Sequence, residues 1–278
     1  MVLDICSLVP VTGTYGDTPR TEEQTEYWRQ ILTGEEPGLA AYERFFRRLP
    51  SPPRCKLCQA PFAGPLAPFF RLAGFRRWSL NQQICRWCIG TLDKHTGGAE
   101  VPVSLLYADV RGSTALAEEM PPVEFTKTMN RFYHVVAGAV DAELGVIDHM
   151  AGDGVMAFWI PGFSDGAHPM RAVAAGRRLA ADLVSEKTMG VSLPVGVAVH
   201  TGEAYVGVLG DAGSRDFTVL GDAANTVARL SSAVSAGELA MSEPAAAAAS
   251  VNTDDLEHRS FQVKGKAEPV PAWIERVA

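Results

Sequence analysis

The sequence lacks a long apolar run, since no stretch approaches the roughly 18 consecutive apolar residues of a membrane-spanning helix. The opening segment, MVLDICSLVP, also lacks the basic region and the clean cleavage site of an export signal. We therefore expect a cytoplasmic protein without a membrane span. Hydrophobic residues make up 47% of the chain and charged residues 21%, which is typical of a globular protein and argues against disorder.

Cysteine is scarce and unevenly placed. Four of the five cysteines form two CxxC pairs, Cys55 with Cys58 and Cys85 with Cys88, and Cys6 stands apart. Without an export signal, two such pairs favour a metal over disulfides, because thiolates separated by two residues can chelate one tetrahedral ion. We predict a structural Zn²⁺ at these four cysteines, with an iron–sulfur cluster or ordinary cysteines as alternatives. Cys6 is expected to be a small buried apolar residue.

Acidic residues are absent from Arg44 to Leu92, a stretch that holds nine basic residues. Residues 1–98 hold twelve basic and nine acidic residues, so with a total of −7 the remaining 180 residues carry about −10. That acidic part would repel nucleic acid, which makes nucleic-acid binding unlikely overall. The favoured interpretation of the basic stretch is a solvated face that docks on the acidic domain, and a membrane or nucleic-acid patch is the alternative.

The patterns divide the chain into three parts: an N-terminal helical region over 1–50, a zinc-ribbon-like metal-binding region over 51–98, and a larger domain over 99–278. In the first part, periodicity predicts helices over about 21–33 and 39–49. The N-terminal region is also a candidate site for a regulatory partner.

The larger domain alternates strand and helix patterns in the order βαββαβ, which predicts an α+β fold of the ferredoxin-like type. The predicted elements are a strand over 101–108, a helix over 114–140, hairpin strands over 146–150 and 155–160, a helix over 168–184, and strands over 191–200 and 204–209. The last two strands are expected to form a pair joined at Thr201, Gly202 and Glu203.

Two aspartates lie at the ends of predicted strands. Asp109 follows the first strand, and Asp153 lies in the Gly-Asp-Gly turn of the next hairpin. In a ferredoxin-like fold these strands are neighbours, so both carboxylates can converge at one end of the sheet. Such a site suits Mg²⁺ or Mn²⁺ and hence a nucleoside triphosphate. Taken singly, Asp109 could instead serve a helix N-terminus and Asp153 a turn.

Five motifs resemble, in order and spacing, the catalytic domain of class III nucleotidyl cyclases, the adenylate and guanylate cyclase family. They are YADVRGST at 107–114, AGDGVMAFW at 151–159, VGVAVHTGEAYVGVLG at 195–210, FTVLGDAANTVARL at 217–230 and VKGKAE at 263–268. The cysteine pairs resemble an extension found in some bacterial members. The resemblance implies an adenylate cyclase, in which the ribose 3′-hydroxyl of ATP attacks the α-phosphorus to give 3′,5′-cyclic AMP and pyrophosphate.

The resemblance also implies two Mg²⁺ or Mn²⁺ ions per active site. Asp109 and Asp153 match the family's metal aspartates, and the carbonyl of Val110 assists them. In this family the metal aspartates of one subunit face the asparagine and arginine of another. One chain with both halves therefore implies a head-to-tail homodimer with two equivalent sites and an inactive monomer.

The remaining site residues follow from the same matches. Asn225 and Arg229, which lie on one face of a helix, match the residues that orient the ribose and stabilise charge on the α-phosphate, and Lys264 matches the lysine that grips the terminal phosphates. Base choice is assigned to His149, where the family usually has lysine, and to Thr218, which suits bacterial adenylate cyclases. Imidazole can still donate to adenine N1. A guanylate or pyrimidine nucleotide cyclase and a weakly active nucleotide-sensing module remain alternatives.

Overall fold

The computed structural model describes residues 22–49, 53–79, 82–92, 97–164, 166–184, 193–210, 216–263 and 268–276. Cys6 and Lys264 lie outside the described residues. Across the helices that are described, none is long and apolar enough to cross a membrane.

The N-terminal part contains two helices close to the predicted positions, α1 (Glu22–Thr33) and α2 (Pro37–Arg47). Helix α2 begins earlier than expected because proline suits the first helical turn and the Glu36 carboxylate caps it by accepting from the Leu39 amide. Two short helices follow, α3 (Ala67–Leu72) and α4 (Arg86–Leu92). We call residues 53–92, which include α3 and α4, the cysteine region.

The larger domain alternates strands and helices, as the α+β prediction requires. Its elements are β1 (Gly98–Val110), α5 (Ser113–Glu119), α6 (Pro122–Ala142), β2 (Val146–Ala151), β3 (Gly154–Trp159), α7 (His168–Val184), β4 (Val195–Leu209), β5 (Asp216–Leu220), α8 (Asp222–Ala233), β6 (Glu238–Ser242), α9 (Glu243–Ala248), β7 (Glu257–Phe261) and β8 (Val270–Arg276). The strands form one sheet in the order β2-β3-β1-β4-β6-β8-β7, and β5 pairs with β4. The ferredoxin-like core, β4-β1-β3-β2, is therefore confirmed.

Two sequence predictions about this domain are wrong. The helix expected over 114–140 is two helices, because Pro121 and Pro122 interrupt it after Glu119. The strands expected over 191–200 and 204–209 are one strand, since Thr201, Gly202 and Glu203 stay extended. The long β1 pairs with β4 through this stretch and supplies hydrogen-bond partners where a turn was expected.

Buried side chains pack on both faces of the sheet. Helices α6, α7 and α9 cover one face. The other face is covered by α8, by α1 and by the cysteine region, so the N-terminal part shares a core with the larger domain. At this junction α1 packs against Gly162, where an added Cβ would lie 2.7 Å from the carbonyl oxygens of Ile31 and Leu32. The absence of a side chain at Gly162 permits this contact.

Candidate functional site

The pairing of β1 with β3 brings Asp109 and Asp153 together at one end of the sheet. Asp109 is the register partner of Gly154, and the Val110 amide donates to the Asp153 carbonyl over 3.0 Å. Burial and the charge of Asp153 raise the pKa of Asp109, although Arg111 opposes them. The two carboxylates are thus close enough to repel each other, as the predicted strand order requires.

Contacts around Asp153 fix the turn that carries it. The Ser113 hydroxyl donates to Asp153 Oδ2 over 2.5 Å, and the Tyr133 hydroxyl donates to the Gly152 carbonyl. Tyr107 packs over Gly154, where an added Cβ would lie 2.3 Å from the tyrosine oxygen. The turn is therefore held from the α5 end, from α6 and from β1.

Arg111 is a site residue that the sequence prediction missed. Its Nη1 donates to Asp109 Oδ2 over 2.6 Å, and its Nε donates to the Val234 carbonyl over 3.1 Å. The guanidinium lies against Gly196, whose added Cβ would be 2.3 Å from Nη2. The sequence signal was the spacing of two between Asp109 and Arg111, which places both side chains on one side of an extended segment.

The donor set at this end of the sheet fits hard divalent cations. Carboxylate oxygens from two aspartates and a backbone carbonyl nearby are ligands that Mg²⁺ and Mn²⁺ prefer. Two carboxylates share this partly buried position, and the ion-pair partner of Arg111 among the described residues is Asp109. Burial is the main cause of the raised pKa of Asp109 and repulsion by Asp153 adds to it, and bound cations would relieve this repulsion.

Helix α8 presents Asn225 and Arg229 on its outer side. Asn225 is exposed and Arg229 half-buried, while Val227 and Leu230 face the core. Within the described ranges, neither outer side chain has a hydrogen-bond or ion-pair partner. Arg229 lines a cleft of about 330 Å³ that also reaches Tyr107 on β1, two residues before Asp109.

The same cleft is lined by Gln262 and Val263, the residues that directly precede Lys264. Lys264 itself falls among the residues that are not described, so its role stays a prediction.

His149 and Thr218 lie close together through contacts with Asp148. This proximity is necessary if both side chains recognise the base. The imidazole Nδ1 of His149 is 2.5 Å from Asp148 Oδ2, and Asp148 Oδ1 accepts from the Val219 amide on β5 over 3.1 Å. Thr218 precedes Val219 on that strand. The hydrogen bond to Asp148 raises the pKa of His149, and the charges of Asp148 and Asp216 act in the same direction.

Asp148 is the second residue that sequence reasoning missed. Its side chain is 1% exposed, and it lies where the register of β2 shifts between Ile147 and His149. An irregularity in the strand lets adjacent residues depart from simple alternation. A carboxylate in an apolar strand beside a histidine was the available signal.

The four cysteines Cys55, Cys58, Cys85 and Cys88 form one buried cluster. Their sulfur atoms all lie within 4.8 Å of one another, with 3.9 Å between Cys55 and Cys88 and 3.7 Å between Cys58 and Cys85. Metal–sulfur bonds of about 2.3 Å in a tetrahedron would separate the sulfurs by about 3.8 Å. The cluster is therefore positioned to bind a single metal ion.

The cysteine region docks on the larger domain beside His149. Lys56 Nζ contacts Asp141 Oδ1 at 2.6 Å, which agrees with a basic segment docking on an acidic domain. The Gln83 side-chain amide accepts from the Ile147 amide over 3.0 Å and donates to its carbonyl over 2.9 Å. Gln83 thus pairs with the edge of β2 one residue before Asp148, a contact that sequence reasoning did not anticipate.

Comparison with known families gives a match over most of the described domain. A family model described as the adenylate and guanylate cyclase catalytic domain matches residues 99–276. An adenylate cyclase of Anabaena cylindrica is 32% identical over 132 residues, which is 46% of this chain and 26% of that protein. An uncharacterized Mycobacterium tuberculosis protein, Rv1319c, is 34% identical over 158 residues, or 56% of this chain and 28% of its own. The chain thus matches little more than a quarter of these relatives' lengths.

Two solved structures share the fold. The guanylyl cyclase Cya2 is 29% identical with a TM-score of 0.60, over 64% of this chain and 93% of that chain. The adenylyl cyclase CyaB from P. aeruginosa is 25% identical with a TM-score of 0.57, over 65% of this chain and 97% of that chain. One of these proteins is named a guanylyl cyclase and the other an adenylyl cyclase. The two similarities therefore do not discriminate between guanine and adenine as the base.

Proposed function

Since this chain belongs to the adenylate and guanylate cyclase catalytic domain family, we propose that it is an adenylate cyclase that acts as a homodimer. The observation that carries the proposal is the convergence of Asp109 and Asp153 through the register of β1 and β3. Both carboxylates lie at the end of the sheet where a triphosphate with its cations can reach them from outside.

In the proposed reaction the ribose 3′ oxygen bonds to the α-phosphorus of ATP. The bond from that phosphorus to the oxygen that bridges to the β-phosphate breaks, so that pyrophosphate leaves with this oxygen, and the hydroxyl proton passes to water. Asp109 and Asp153, with the Val110 carbonyl, would hold two Mg²⁺ or Mn²⁺ ions. Those cations, when bound, neutralise the charge that develops on the phosphates and the attacking oxygen. The chain's own contribution is to keep the two carboxylates adjacent, with Ser113 and Arg111 fixing one carboxylate each.

The second half of the site comes from a partner copy. Asn225 orients the ribose, Arg229 stabilises charge on the α-phosphate, and Lys264 binds the terminal phosphates. The lack of any partner for Asn225 and Arg229 among residues with a described position supports this, because unpaired polar groups on one helix face are available to a ligand. Two such copies related by a twofold axis make two equivalent sites.

Adenine is the base that the His149 environment favours. With Nδ1 held by Asp148, a protonated ring presents an N–H at Nε2, which is complementary to the acceptor N1 of adenine. The neutral ring with its proton on Nδ1 presents an acceptor at Nε2 instead, which suits the N1–H of guanine. Thr218, with its hydroxyl, completes base recognition. Guanylate cyclase activity is thus the second candidate function, and it depends on the protonation of His149.

The direct test is incubation of the full chain with each of the four nucleoside triphosphates and Mn²⁺, with detection of pyrophosphate and cyclic product. The expected result is cyclic AMP as the main product and its loss in Asp109→Ala. Wild-type turnover in Asp109→Ala would remove the metal assignment. No cyclic product from any triphosphate would favour the nucleotide-sensing alternative, and a cyclic pyrimidine product would contradict the assignment of His149 to a purine.

A further inference from the structure

Exposed apolar side chains are concentrated in one small part of the molecule. Of the nine large apolar side chains that are exposed in the described ranges, five lie between residues 42 and 72. Leu66, Phe69 and Leu72 follow one another at intervals of three and are 45%, 68% and 90% exposed. On a helical turn that spacing places side chains on one side. We call these three residues the apolar ridge.

The ridge continues onto helix α2 through a row of aromatic rings. The centroid of Phe69 is 5.5 Å from that of Phe70, Phe70 is 5.1 Å from Phe46, and Phe46 is 5.3 Å from Phe45. Phe46 is buried, while Phe45 at the far end of the row is 53% exposed. The row therefore joins two exposed apolar ends across a packed aromatic centre.

Four arginines lie close in the sequence to the two ends of this row. Arg44 directly precedes Phe45, Arg48 follows it by three residues, and Arg71 and Arg76 lie within or just after α3. We call these four residues the arginine rim. All four side chains are exposed, and none forms an ion pair with any described residue. The stretch from Arg44 to Leu92 supplies no acidic residue that could neutralise them.

We propose that the apolar ridge and its arginine rim bind the surface of an anionic lipid bilayer. Leu72 is 90% exposed, and exposed apolar patches with a polar rim mark surfaces that contact a membrane or another protein. At a membrane, such apolar side chains insert into the headgroup boundary. Basic residues around the insertion point are attracted to anionic headgroups. The anionic bilayer would repel the acidic catalytic domain, which would therefore face away from the bilayer. This surface is independent of the cyclase assignment.

The test is flotation of the full chain with vesicles of phosphatidylcholine containing 40% phosphatidylglycerol, against vesicles of phosphatidylcholine alone. The expected result is at least tenfold stronger binding to the anionic vesicles, weakened by high salt. Phe69→Ser/Leu72→Ser is expected to weaken that binding at least tenfold, and Arg71→Gln/Arg76→Gln, which removes two of the four arginines, to remove about half of its salt dependence. Val123→Ser/Met170→Ser, at positions 65% and 54% exposed on the catalytic domain, is the matched control and should bind like the wild type.

Equal binding to both vesicle types, or unchanged binding by Phe69→Ser/Leu72→Ser, overturns the proposal. A molecular mass that halves in Phe69→Ser/Leu72→Ser would assign the ridge to a second copy of this chain, and salt-dependent retention of RNA or DNA without vesicle binding would assign the rim to nucleic acid. Either result also overturns the proposal. Retention of bound metal and of triphosphate turnover in the variants shows that they are folded.

Discussion

The cysteine region and the catalytic domain are stabilised in different ways. The catalytic domain has an eight-stranded sheet with buried side chains on both faces, whereas the cysteine region has two short helices around four buried sulfurs. A small region with little regular structure depends on a bound metal for its folding free energy. We propose that a bound ion stabilises the fold of the cysteine region, whereas bound ions take part in the chemistry of the catalytic domain.

The largest expected effect is loss of the metal from the cysteine cluster. Cys58→Ser leaves three thiolates, so we expect less than one metal per chain by elemental analysis and loss of hydrogen-exchange protection across α3 and α4. The side of the catalytic domain covered by α6 and α7 should keep its protection, because its core does not include the cysteines.

Cys6→Ser is the matched control, since Cys6 belongs to neither CxxC pair of the sequence, and it should retain one metal. Absence of zinc and iron from the wild type would contradict the assignment, and a visible absorption band would favour iron over zinc.

Asp153→Asn should lower the turnover of the catalytic domain without lowering its stability. Turnover should fall at least about a hundredfold because one carboxylate ligand is lost. Without divalent ions, the free energy of unfolding should stay within about 1 kcal/mol of the wild type or rise, since the repulsion with Asp109 is gone. Mn²⁺ should raise the Tm of the wild type and not of this variant. Asp182→Asn on α7 is the control. A large loss of stability in Asp153→Asn would make its role structural.

The junction between the regions can be weakened by a single methyl group. Gly162→Ala places a Cβ against the α1 backbone, which should lower the free energy of unfolding by about 1–3 kcal/mol in urea titrations. Gly138→Ala, on α6 with open space around it, should be neutral or stabilising by up to about 1 kcal/mol. Equal stability of the two variants would show that α1 does not pack there in solution.

The smallest expected effect concerns base choice. The hydrogen bond to Asp148 raises the pKa of His149 above 6.5. The ring is therefore protonated at pH values below this raised pKa, and it loses its Nε2 proton as the pH rises past the pKa. The ratio of kcat/KM for ATP to kcat/KM for GTP should therefore fall several-fold as the pH increases across the pKa of His149. His149→Lys keeps a charged donor and should give a flat ratio. A wild-type ratio that does not change with pH would exclude His149 from base recognition.

Much of the catalytic domain is predictable from its sequence because strand order follows from local patterns. The adjacency of Asp109 and Asp153 needed only the βαββαβ order. The two wrong elements have different causes. Pro121 and Pro122 end a helix locally within a continuous apolar pattern, whereas pairing with the distant strand β1 keeps Gly202 extended where a turn was expected.

The residues that sequence reasoning missed act through tertiary contacts. Arg111 reaches Val234, Asp148 reaches Val219 and Gln83 reaches Ile147, and no local periodicity encodes such pairs.

The measurement that most directly tests the account is complementation between two inactive variants. Asp109→Ala lacks one half of the proposed site and Arg229→Ala lacks the other, so each alone should be inactive. Mixed in equal amounts and allowed to exchange subunits, they form mixed dimers with one intact site each, and about a quarter of wild-type turnover should return. Turnover that stays at the level of the separate variants after demonstrated exchange would contradict a site shared between two copies.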